Sequence, residues 1–144
     1  MNRKWMKICI ITVICLGILC GILAMIAHGL GKRRMDADQV QRIVLTPRED
    51  GVSCGTIELN KQQIKWFSRL YNHSICAGIS MHDAPDIKFD VVVYFEDGST
   101  IVIREDGGTR MYAITSEYKK HFMVDNIWLW RYINGLMLVH DLAG

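Results

Sequence analysis

The chain has 144 residues, half of them apolar, with 17 basic and 15 acidic side chains and a net charge of +2. That length admits one compact domain of ordinary size and little more. Six of the basic residues and none of the acidic ones fall within residues 1–34, leaving residues 35–144 at −4. The positive overall sign is therefore no nucleic-acid signal.

Residues 1–7 form a short basic tail carrying Arg3, Lys4 and Lys7. The run Ile8 to Leu30 follows, 23 residues without Asp, Glu, Lys or Arg, and Lys32, Arg33 and Arg34 close it. As a helix it would be about 34 Å long, enough to cross a hydrocarbon core of about 30 Å. A cleaved signal peptide has a shorter apolar region and a small-x-small cleavage site, and Ala27-His28-Gly29 is a poor one. No cysteine of the run is preceded by the small residue a lipoprotein signal needs. The expectation is an uncleaved single-pass anchor in the cell membrane, residues 8–30. The densely charged tail favours an N-terminus in the cytoplasm and a C-terminal domain outside. Gly17 and Gly21, continued by Ala24, make a small-residue face that could support a weak homodimer within the bilayer.

Residues 31–38 are polar and short and read as a linker to a domain spanning 39–144. Val40 to Thr46 is β-rich and is closed by Pro47 and the turn Glu49-Asp50-Gly51. Thr56 to Leu59 is a second short strand. Asn60, with Gln63 three residues on, has the capping-box spacing of a helix start. Ile64, Phe67, Leu70 and Tyr71 share one face of that helix, Lys61, Lys65 and Arg69 the other, and the helix should stop near His73 and Ser74.

The plainest strand signal is Ile87 to Phe95, with Ile87, Phe89, Val91, Val93 and Phe95 on one side. Its other side carries Lys88, Asp90, Val92 and Tyr94 and is at least partly wet. Asp97-Gly98 turns the chain into a partner strand, Thr100 to Arg104, and Asp106-Gly107-Gly108 turns it again into Arg110 to Thr115. Beyond Ser116, His121 to Val124 and Ile127 to Tyr132 read as a further hairpin, or the second as a helix. Leu136 to Leu142 reads as a terminal helical turn. The fold class is α+β: an N-terminal transmembrane helix, then one small domain with a mainly antiparallel sheet packed by one helix.

Chemical motifs are thin. His82, Asp83 and Asp86 could ligate a cation, but a solvated Pro-containing loop accounts for them more simply. His73 and Cys76 lack the oriented third group that an activated thiol needs. Glu96-Asp97 and Glu105-Asp106 precede glycines, where Asp serves turn geometry. Asn72-His73-Ser74 fits a glycosylation sequon, a pattern common by chance. No catalytic residue, metal or cofactor is expected. Cys54 and Cys76, the two cysteines outside the span, could close a disulfide or stay as free thiols.

The order of basic tail, single anchor, short linker, strand, helix, a Ser80-Met81-His82-Asp83-Ala84-Pro85 lead-in, and Phe89 to Phe95 with its Glu96-Asp97-Gly98 hairpin resembles small single-anchor exported α+β domains of unknown function from Gram-positive bacteria. The resemblance covers most of residues 38–115. It implies an extracytoplasmic α+β module and transfers no catalytic residue. The function expected is that of a membrane-anchored, noncatalytic binding or accessory module for an unidentified protein or peptide. Its binding surface would be the sheet face around Val92 and Tyr94 or the aromatics Trp128 and Trp130. A cell-surface immunity or stress protein and an enzyme without a recognisable motif are the alternatives.

Overall fold

The structure, a computed structural model, describes residues 3–29, 33–76, 87–105, 110–116 and 121–143, with side chains at 5–23, 33–75, 87–105, 110–116 and 123–141. It divides into two compact units, residues 1–33 and 34–144. The first is one helix, α1 (Arg3–Gly29), whose stretch Trp5–Leu23 is long and apolar enough to span a membrane and buries none of its side chains within the molecule.

The second unit is α+β. Its elements are a 3₁₀ turn (Ala37–Gln39), β1 (Val40–Glu49), β2 (Val52–Ser53), β3 (Ile57–Glu58), α2 (Lys61–Asn72), β4 (Ile75–Cys76), β5 (Phe89–Phe95), β6 (Thr100–Glu105), β7 (Arg110–Thr115), β8 (His121–Asp125) and α3 (Ile127–Ala143). All strand pairs are antiparallel, in the order β2-β1-β5-β6-β7-β8-β4, with β3 also paired to β1. The domain begins earlier than residue 39. Met35 is 1% exposed, and its backbone N–H and C=O are both held by the Asn72 side-chain amide at 2.8 and 2.7 Å. The end of the polar stretch 31–38 is thus part of the fold, because Met35 supplies a core side chain.

Two turns set the register. At Asp50 and Gly51 both φ angles are positive, 49° and 77°, as a type I′ hairpin requires. Gly98, φ 81°, closes the β5–β6 turn while Asp97 Oδ1 accepts from Ser99 N at 2.9 Å. Val40 pairs with Phe95 and Arg42 with Tyr94, so Gln41 is an extra residue, a β-bulge. The bulge shifts the phase of β1 and lets Val40, Ile43 and Leu45 all reach the core.

α2 starts at the capping box foreseen. Asn60 Oδ1 accepts from Gln63 N at 3.0 Å, and Asn60 N donates to Gln63 Oε1 at 2.8 Å. It buries Ile64, Phe67 and Tyr71 against the sheet. The segment 127–132 is helix, not a hairpin strand, and it runs on through Leu136–Leu142 as one element. Asn126 accounts for that. Its Oδ1 accepts from Trp128 N and Leu129 N at 2.9 and 3.2 Å, capping α3. Its Nδ2 donates to Leu70 O at 2.8 Å and Ser74 Oγ at 3.1 Å, satisfying the last turn of α2. Two helices, not one, cover the sheet, with Leu129 and Ile133 of α3 fully buried beside Phe67 and Tyr71. On the covered face Val91 lies in register between Leu45 and Ile103, and Val93 between Ile43 and Ile101.

Candidate functional site

Alternation along the strands sends the remaining side chains to the opposite face of the sheet. Three cross-strand rows result. Arg42, Tyr94 and Thr100 form the first; Val44, Val92, Val102 and Ile114 the second; Thr46, Asp90, Arg104, Tyr112 and Met123 the third. The aliphatic row is half-buried, whereas its neighbours on the covered face are fully buried. A sheet face turned to water is ordinarily polar, so four aliphatic residues in register across four strands are a distinctive surface.

Fixed charges flank that row. Asp90 is only 5% exposed because two guanidiniums close over it. Arg48 donates through Nε to Oδ2 at 2.6 Å, with its Nη2 at 2.5 Å from the same oxygen, and Arg104 donates through Nε to Oδ1 at 2.7 Å. Arg48 Nη1 also donates to Gly51 O at 3.0 Å, tying the cluster to the β1–β2 turn. Burial of the Arg104 guanidinium works against its charge, but the Asp90 carboxylate and the Tyr112 hydroxyl outweigh it, and the pKa is raised above its ordinary value. Arg42 lies on the other side of the row, 4.4 Å from the centre of the Tyr94 ring. Both oxygens of Asp90 are engaged by cations, so the cluster fixes shape and charge on that side of the row.

The two surfaces named from sequence lie on opposite sides of the sheet. Val92 and Tyr94 are on the face just described. Trp130 belongs to the covered side, where it packs against the core and its Nε1 donates to Glu105 Oε1 at 3.2 Å. Trp128 is 64% exposed, with the Arg131 guanidinium 5.4 Å from its ring centre. Gly17 and Gly21 have open space around them on α1, and the Ala24 side chain lies outside the described residues. Cys54 is a free, exposed thiol. Cys54 follows β2 at one end of the strand order, and Cys76 sits on β4 at the other. The Cys76 side chain and the whole of His82, Asp83, Asp86 and Asp106-Gly107-Gly108 lie outside the described residues. His73 is the C-cap of α2, with Nδ1 donating to Arg69 O at 2.7 Å.

Asp90, Arg48 and Arg104 were not singled out from sequence. The Asp97-Gly98 hairpin alone places Arg104 opposite Asp90, a signal that was available. Arg48 reaches the site through the β1–β5 pairing, which spans about forty residues and has no local signature. No family model, no curated protein and no solved structure matches this chain.

Proposed function

We propose that this protein is a single-pass, membrane-anchored and noncatalytic binding module. In this reading α1 crosses the cell membrane with the N-terminus in the cytoplasm, and residues 34–144 lie outside. The domain uses its open sheet face to hold a segment of another protein. The row Val44, Val92, Val102 and Ile114 carries the reading, because apolar side chains placed in register on an uncovered face gain from being covered. Arg42 and Tyr94 on one side and the Asp90 cluster on the other favour a segment with aliphatic side chains and flanking carboxylates.

A photo-crosslinking amino acid at position 92, compared with one at position 128, tests it in native membranes. The expected result is a discrete protein adduct at position 92 that disappears when Val102→Glu and Arg42→Glu are added to the same chain. Adducts that survive those changes, or that form at position 128 and not at 92, would refute it.

A further inference from the structure

A second feature lies on the other side of the domain, where the chain enters it. The Asn72 amide grips both backbone groups of Met35, and this holds Arg34 beside α2. α2 presents Lys65, Ser68, Arg69 and Asn72 on one stripe, at the i, i+3, i+4 and i+7 spacing of a helix face. Arg34, Lys65, Ser68 and Arg69, with Asp36 and His73, line a hollow of about 710 Å³.

The charge arrangement is unbalanced. Among the described residues the ion pairs are those of Arg48 and Arg104 with Asp90, so Arg34, Lys65 and Arg69 reach no carboxylate. The one acid in the lining, Asp36, uses its carboxylate to accept from Asp38 N at 3.2 Å. Lys65 and Arg69 are like charges one helical turn apart, which repel. Ser68 adds an independent observation. It is 3% exposed, and its Oγ has no hydrogen-bond partner among the described residues. A mid-helix serine ordinarily donates back to the preceding turn or to water, and a buried hydroxyl left without either is costly. Arg69 also stacks on the Trp66 ring, 5.2 Å from its centre, but three cations without a carboxylate partner and an orphaned hydroxyl donor around one hollow make a site suited to an acceptor.

We infer that this hollow binds a phosphate group. Phosphate offers several acceptor oxygens in a tetrahedral array, which suits a hollow lined by the donors of Arg34, Lys65, Ser68 and Arg69. The hollow is larger than a bare phosphate, so a phosphate carried on a small polar group also fits. Its wall begins at Arg34, five residues along the chain from Gly29, the last residue of α1. A lipid headgroup and free phosphate share the recognised chemistry, and the experiment separates them.

The full chain in a maltoside micelle, which contains no phosphate, is titrated calorimetrically with inorganic phosphate and with short-chain phosphatidylglycerol. At least one should bind at millimolar concentration or tighter. Phosphatidylglycerol binding about tenfold tighter assigns the site to a headgroup; equal or weaker binding assigns it to free phosphate. The exposed pair Lys65→Gln, Arg69→Gln should weaken binding at least about tenfold, as expected for lost charge-assisted hydrogen bonds. Ser68→Ala should weaken it several-fold with an unchanged circular dichroism spectrum. A double variant that still unfolds at the wild-type temperature yet binds both ligands as well as wild type would overturn the inference. Absence of binding by either ligand to the wild-type chain would overturn it too.

Discussion

Replacing Asp90 by asparagine keeps the shape of the side chain and removes its charge. The amide can accept from one guanidinium but must turn its NH₂ toward the other, donor against donor. Arg48 and Arg104, both directed at the same residue, then face each other without the carboxylate between them. A charge pair about 4 Å apart is worth about 4 kcal/mol at an effective dielectric of 20, an upper figure here. The arginine side chains are 32% and 37% exposed and keep part of their hydration. Exposed pairs contribute up to about 1 kcal/mol, and breaking a fully buried pair costs about 3–5. Asp90 is buried and its partners are half-buried, so a loss of about 2–3 kcal/mol is expected for the two interactions together.

For a domain of this size that should lower the melting temperature by about 10–15 °C. The assay is thermal unfolding of the full chain in a nonionic detergent, followed by near-ultraviolet circular dichroism. The companion is a triple variant, Arg48→Met, Asp90→Val and Arg104→Met, which removes all three charges. It should fall within about 1 kcal/mol of wild type, since exchanging a buried ion cluster for apolar groups is often neutral or better. An Asp90→Asn protein within about 0.5 kcal/mol of wild type would show that water satisfies both arginines and that the cluster organises nothing. A triple variant as unstable as the single one would place the loss in packing, not in charge.

Four further outcomes follow from the structure. Val91→Asp puts an unpaired carboxylate between Leu45 and Ile103 at a site 1% exposed, costing several kcal/mol and unfolding the domain; a native circular dichroism spectrum would contradict the register. Asn60→Ala should cost about 1 kcal/mol in urea unfolding by removing one half of the capping box, and no loss would mean that water replaces it. Burial raises the Tyr132 phenol above its ordinary 10.0, so the folded state favours the protonated form. The stability this gives is complete below pH 10.0 and is lost as pH rises through the higher folded value; unfolding measured across that range should show Tyr132→Phe losing less than wild type. Finally, the uncleaved chain should stay with membranes after alkaline carbonate extraction, and a mature N-terminus near Leu30 by mass spectrometry would refute the anchor.

How much of this was legible in the sequence depends on the range of the interactions concerned. The β5–β6–β7 meander and the cap of α2 are written in neighbouring residues, because turn glycines, alternation and an Asn-x-x-Gln spacing act within a few positions. The same local logic, carried one step further through the hairpin register, would have exposed the Asp90–Arg104 pair. Arg48 and the phosphate hollow were beyond it. Each joins segments thirty or more residues apart, Arg48 to Asp90 and Arg34 to α2, and the geometry exists only once the tertiary fold is made.

The segment 127–132 shows why pattern alone stops short. Trp128, Trp130 and Tyr132 alternate as a strand would, yet Leu129 and Ile133, four apart, are the residues that enter the core. A helix makes that possible, and one side chain tips the balance toward it. Asn126 meets two orphan donors of α3 and the Leu70 carbonyl in the last turn of α2 at once, so starting a helix there satisfies polar groups on two elements. A hairpin at the same place would satisfy neither. The consequence reaches the proposed binding face. With α3 lying beside α2 over one side of the sheet, Trp130 is spent on the core, and the row around Val92 is left as the face open to a partner.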